Sequence, residues 1–192
     1  MTTHFINGEK QTGFTLVELL IVAIILAILA AIVVPQFASS TSDASNSALR
    51  SNLSSIRGAI DLYTQQHGGT MPGAAAATTA ACTAGTAGTG LANSEAAFKS
   101  QLKFYTNLAG AACSVADNDA DGTPEFPFGP YIKGDVPANP ITSNPTVAIV
   151  STGNLVLAGN ATPAGWKYDT KSGRFIADDS TDDGNGTPYD TY

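Results

Sequence analysis

One stretch near the N-terminus limits what this chain can become. Residues 19–34 carry no polar side chain, and the apolar segment covers 24 residues when counted from Phe14 to Phe37. A helix needs about 20 residues to cross the hydrocarbon core of a bilayer, so the segment is long enough to span. A polar segment, MTTHFINGEKQTG, precedes it, and Lys10 there favours a cytoplasmic location for that end. Glu18 places a carboxylate inside the run. An ionisable group at such a position is expensive and usually functional.

Three readings compete. A cleaved secretory signal has a shorter apolar core followed by a small-residue cut site; here the core is too long, and Pro35-Gln36-Phe37 makes a poor site. A plain membrane anchor fits the length but leaves Glu18 without a partner. The third reading supplies one. The phrase GFTLVELL, followed by IVAIILAILAAIVVPQF, resembles the class III signal of type IV prepilins and of type II secretion pseudopilins over about 25 residues, with Gly13 before the cut, Phe14 after it, Glu18 four residues beyond and Pro35 downstream. The resemblance implies cleavage between Gly13 and Phe14 by a membrane aspartic peptidase, and N-methylation of the Phe14 amine by the same enzyme.

The chemistry of this reading is coherent. Cleavage creates a positive amine at Phe14, one helical turn from the negative Glu18. Among parallel, staggered helices Glu18 of one subunit can meet the Phe14 amine of another, and pairing greatly reduces the cost of a carboxylate in apolar surroundings. Ala23, Ala27 and Ala31 share one helix face. Small residues at that spacing allow close helix approach, although ordinary helix composition accounts for them equally well. Pro35 lacks an amide hydrogen and is expected to kink or locally melt the helix. The resemblance places stretching on assembly there; the alternative is the end of the membrane span.

Beyond Pro35 the pattern turns amphipathic. Leu49, Leu53, Ile56, Ile60 and Tyr63 form one apolar face. The expected helix covers residues 14–66, about 80 Å long, with its membrane half at 14–37, and His67-Gly68-Gly69 ends it. Residues 1–13 are the expected leader and 67–192 a head. Within the head, residues 68–92 read as a surface loop of Gly, Ala and Thr tethered by Cys82, and 94–108 as a short helix capped by Asn93 or Ser94, with Phe98, Leu102 and Tyr105 on one face. Residues 146–152 with 154–159, and 165–169 with 173–177, read as two hairpins. The expected fold is α+β and type IV pilin-like: a long N-terminal helix, half transmembrane, packed on a small antiparallel sheet of three or four strands.

Cys82 and Cys113 are an even pair. In an exported chain this favours a disulfide, with two free buried thiols as the alternative. Catalysis has little support. The histidines are His4 in the leader and His67 at a helix end, and no nucleophile elbow, phosphate loop or Cys/His metal spacing is present. The net charge of −7, without a basic run, argues against nucleic acid as the main ligand. Asn52, Asn160 and Asn185 head N-x-Ser/Thr triplets, to which no function attaches.

Calcium is the candidate cofactor. Asp117, Asp119 and Asp121 alternate before Gly122, with Glu125 beyond, although Phe128 occupies the loop-closing position. Asp179, Asp183 and Asp190 form a second candidate set, in which Thr181 stands between the first two acids. Similarity to the major pseudopilins, which bind calcium near their C-terminal hairpin, favours the second set. The phrases YTQQHGGTMP, PFGPYIKGDVPANP and GWKYDTKSGRFIAD are also similar to that group, whereas the Ala/Thr loop and the cysteine pair depart from its simplest members.

The resemblance implies a non-enzymatic, homo-oligomeric filament subunit. It implies a single-pass bacterial inner-membrane protein, in contact with lipid before assembly, that moves into a periplasmic or cell-surface filament. The implied partners are the prepilin peptidase/methyltransferase and an inner-membrane assembly platform. A type II secretion pseudopilin driving protein export comes first. A major type IV pilin, serving adhesion, twitching motility or DNA uptake, comes second. A membrane-anchored binding domain is the alternative of a different class.

Overall fold

The structure, a computed structural model, describes residues 13–160 and 164–192. Two units are distinguished, divided between Asp43 and Ala44. A single helix, α1 (Leu16–Gln66), contributes to both.

In the first unit, Leu16–Val34 is the membrane-length segment, 19 residues with a mean hydropathy of 3.2 and none of it buried. The helix continues through Pro35, so the local melting expected there is not a feature of this structure. One proline removes a single amide donor, and the bonds of the adjacent turns remain to hold the helix. Polar side chains just beyond fold back on it: Ser40 Oγ donates to the Gln36 carbonyl at 3.0 Å and Thr41 Oγ1 to that of Phe37 at 2.8 Å.

The second unit is the head. Leu49, Leu53, Ile56, Ile60 and Tyr63 of α1 are buried in its core, as their spacing requires. Against them pack Phe98 and Leu102 of α2 (Glu95–Lys103) and the aromatic face of a three-stranded sheet, β3 (Val147–Val150), β4 (Trp166–Asp169) and β5 (Phe175–Ala177). Trp166 and Phe175 stack with ring centres 5.3 Å apart, and the indole N–H, which would otherwise be buried unpaired, donates to the Pro137 carbonyl at 2.8 Å. A second, two-stranded sheet pairs β1 (Tyr105–Thr106) with β2 (Ala112–Cys113).

The sheet differs from expectation. β4 and β5 form the antiparallel hairpin anticipated at 165–177, with Tyr168 opposite Phe175. Residues 154–159 form no strand, and β3 pairs with β4 in parallel, Val147 opposite Trp166. The cause is Asp169, fully buried at the end of β4. Its Oδ2 accepts hydrogen bonds from the Gly153 and Asn154 amides and the Thr152 hydroxyl at 2.8–3.0 Å. Those amides would have served a returning strand. Burial pushes the Asp169 pKa up; donors from Lys171, Thr152, Gly153 and Asn154 outweigh it and hold the group below the usual carboxylate range. The segment that follows leaves Leu155 and Val156 exposed.

Two further expectations are corrected. The short helix stops at Lys103 rather than 108, because Thr106 exchanges backbone hydrogen bonds with Phe128 and its neighbours pair with β2. Its cap is Ser94, whose Oγ accepts from the Ala97 amide at 3.2 Å, and Tyr105 leaves the helix for β1. The Gly/Ala/Thr segment is not merely a surface loop. Ala77 is fully buried against Ala97 and Ala112, and its amide and carbonyl bond Gly90 and Ala112. At Gly88 a Cβ would sit 2.7 Å from both the Ala112 Cβ and the Ala77 carbonyl oxygen. The small residues are what allow these backbones to approach.

Candidate functional site

The expected cleavage position lies in irregular backbone. Gly13, Phe14 and Thr15 precede α1; among the described residues no atom lies within 4 Å of where a Gly13 Cβ would stand, and Phe14 is exposed. The rest of the leader, including His4 and Lys10, lies outside the described residues.

Glu18 has a local role that the sequence reading missed. Its Oε2 accepts from the Thr15 amide at 2.8 Å and the Thr15 hydroxyl at 2.9 Å, while the Glu18 amide donates to Thr15 Oγ1 at 3.2 Å. This is a capping box, and the Thr-x-x-Glu spacing before an apolar run was its signal. The box closes the first turn of α1 and points the carboxylate back toward Phe14.

The cysteine expectation holds: Cys82 and Cys113 form a disulfide, with Cα atoms 5.5 Å apart. It joins the Ala/Thr segment to β2. Close by, Asn118 Oδ1 accepts from the Thr83 and Ala84 amides at 2.7 and 2.8 Å, and its Nδ2 donates to the Ala81 carbonyl at 2.7 Å. The acidic loop is thereby fastened to the disulfide segment.

The two acidic sets behave differently. Carboxylate oxygens of Asp117, Asp119, Asp121 and Glu125 lie within 4.8 Å of one another, on a largely exposed loop. Neither ion pair found among the described residues, Lys99–Glu95 and Lys103–Asp135, involves them. A hydrogen bond from the Asp121 amide lowers the Asp119 pKa, but desolvation and repulsion from Asp121, Glu125 and Asp117 leave it above the usual carboxylate range. An all-oxygen, all-anionic donor set suits a hard divalent cation. These carboxylates also accept amides of their own loop, and Asp179, Asp183 and Asp190 turn to separate donors: the Thr181 amide and hydroxyl, the Asn185 and Thr187 amides with the Tyr192 hydroxyl, and the Gly159 amide.

His67 is a buried aromatic partner more than a helix-end polar group. Its ring stacks on Tyr63 with centres 3.7 Å apart; Nδ1 donates to the Tyr63 carbonyl at 2.8 Å, and Nε2 accepts from the Thr106 hydroxyl at 3.0 Å. Burial holds its pKa below the ordinary value, favouring the neutral ring. Both ring nitrogens are engaged in hydrogen bonds within the head.

Comparison with known proteins agrees with the N-terminal geometry. The prokaryotic N-terminal methylation motif matches residues 9–34. The type II secretion system core protein G of Pseudomonas aeruginosa is 43% identical over 55 residues, 29% of this chain. The chain spans 39% of the length of that curated relative. No solved structure matches. The chain carries the N-terminal methylation motif of prokaryotic prepilins on an α+β, type IV pilin-like architecture.

Proposed function

We propose that the chain is a structural subunit of a type IV filament, and specifically a type II secretion pseudopilin that polymerises in the periplasm to drive protein export. The observation that carries this reading is the methylation motif on a fully exposed, membrane-length helix whose Glu18 lies one turn from the new N-terminus. The exposed apolar surface needs lipid before assembly and other copies of the same helix afterwards. The similarity to core protein G supports the pseudopilin role over the pilus role. Its partners in this reading are the prepilin peptidase/methyltransferase and an inner-membrane assembly platform.

Intact mass and N-terminal sequencing of the protein from its native membrane test the reading. The expected product starts at N-methylated Phe14. A chain that keeps residues 1–13 in a host with an active prepilin peptidase would overturn it. The disulfide and the packed Ala/Thr segment favour a second reading, a major type IV pilin. Long surface fibres identify that one, and a short periplasmic assembly needed for export identifies the first.

Calcium belongs to the same proposal, with Asp117, Asp119, Asp121 and Glu125 as the residues that would hold it and an ordered head loop as the gain. Isothermal titration of the detergent-solubilised full chain is expected to show binding at or below millimolar calcium, lost in Asp119→Asn/Asp121→Asn. Heat traces indistinguishable from buffer dilution at millimolar calcium would end the proposal.

A further inference from the structure

The sequence contains three arginines, Arg50, Arg57 and Arg174, and the head gathers all of them along one groove beside Asp61 and Tyr192. Arg50 and Arg57 lie two turns apart on α1, and Arg174 comes from the β4–β5 hairpin. Each has a defined setting. Arg57, half-buried, donates to the Phe175 carbonyl at 3.0 Å and to the Tyr192 carbonyl at 2.6 Å. Arg50 lies 4.3 Å over the Tyr192 ring. Arg174 is exposed, and its charge, after burial, helps to pull the Arg57 pKa down. None of the three belongs to an ion pair found among the described residues. Asp61 is the one carboxylate side chain lining the groove against three guanidinium groups, so in a chain of net charge −7 this surface keeps a local excess of positive charge.

The complementary surface is on the same head. The 117–125 loop brings four carboxylates together, and its residues do not line the arginine groove. The C-terminal acids are less suited: Asp178 and Asp179 are buried, whereas Asp119, Asp121 and Glu125 are exposed. Two different, mutually complementary patches on one subunit make a heterologous contact, in which each copy offers one patch forward and the other back. Such a contact builds a ring where its rotation closes and an open helical assembly where it does not, the second being the case a filament requires.

Resting on the filament reading, we infer that the arginine groove of one subunit receives the 117–125 acidic loop of another copy, and that this contact sets the register of the heads outside the helical core. The planar guanidinium groups of Arg50 and Arg174 pair with carboxylates of the incoming loop, while Arg57 stays committed to its own carbonyls and shapes the groove. A divalent cation seated in the loop still leaves it negative.

Charge exchange tests the contact on the full chain, co-expressed with its peptidase and assembly platform. One variant is Arg50→Glu/Arg174→Glu, which spares the hydrogen-bonded Arg57; the other is Asp119→Lys/Asp121→Lys/Glu125→Lys, which turns the loop from negative to positive. Each alone places like charges together and is expected to lower sedimentable filament at least tenfold. Co-expressed, the two alternate with every contact attractive, and filament is expected to return to at least half the native yield. A merely structural role for the arginines gives no such recovery. Native yield from either variant alone, or no recovery on mixing, overturns the inference and leaves the filament reading standing. Absence of filament from the native chain itself overturns both. Should a variant lose cooperative melting of its head, Ser54→Cys/Thr123→Cys on the otherwise native chain replaces it. An intermolecular cross-link in filaments is then expected, and its absence overturns the contact.

Discussion

Glu18→Gln is expected to leave a stable, membrane-inserted, processed chain that assembles no filament. Glutamine retains a carbonyl that can accept from the Thr15 amide, so the capping box at the start of α1 survives. The charge is what disappears. In the proposed filament, the Phe14 amine freed by cleavage would be positive, and in a dry bundle of parallel helices it would need a carboxylate from a neighbouring copy. Removing one partner of a buried ion pair costs about 3–5 kcal/mol, which is about 10²–10⁴-fold in each intersubunit equilibrium. The expected result is at least a hundredfold loss of sheared, sedimentable filament by immunoblot, with unchanged chain in the membrane fraction. Thr15→Ala is the informative control. It removes the capping hydroxyl and keeps the charge, so it costs about 1 kcal/mol of helix-end stability and only a modest part of the assembly. If Glu18→Gln assembles like the native chain, or if Thr15→Ala is as damaging as Glu18→Gln, Glu18 acts as a helix cap and the intersubunit pairing fails.

The second large effect is on the head. The Cys82–Cys113 bridge closes a loop with a sequence separation of 31 residues. In the chain-entropy treatment this constrains the unfolded state by about 3–4 kcal/mol. Cys82→Ser/Cys113→Ser should therefore lower the melting temperature of the head by about 10 °C at about 2–4 °C per kcal/mol. The loss should concentrate in the 74–92 segment, which has few large apolar side chains and depends on alanine contacts and backbone hydrogen bonds to Ala112. Circular dichroism melting with hydrogen exchange resolves both. A drop of less than 2 °C would mean that the packing around Ala77 holds this segment without the bridge.

The reach of sequence reasoning can be judged element by element. The apolar run, the α1 core face and the Ser94 cap were legible because each is specified by residues within a few positions of one another. The β4–β5 hairpin was legible for the same reason: its strands are joined by a short turn. The capping box at Thr15 and Glu18 was equally local, and it was missed because the carboxylate's cost in an apolar run drew attention away from the residue three positions earlier.

Other features depended on groups far apart in the chain. Residues 146–159 have the composition of a hairpin, yet Asp169 captures the amides at Gly153 and Asn154, and β3 joins β4 in parallel. Whether the Gly/Ala/Thr segment was a loose loop or a packed one depended on Ala97 and Ala112 arriving beside Ala77. Two acidic sets looked alike as spacing; the fold converged the carboxylates of Asp117, Asp119, Asp121 and Glu125 and gave Asp179, Asp183 and Asp190 separate donors, one of them as distant as the Gly159 amide.

The sequence by itself determined that this chain has a membrane-length helix with a processing motif and an amphipathic continuation, because hydrophobic periodicity and capping act over one or two turns. The tertiary structure alone decided the strand pairing, the burial of His67 between Tyr63 and Thr106, and the meeting of the three arginines on one face. Those outcomes turn on which distant donor, ring or charge reaches a group first in three dimensions, and no local pattern records that competition.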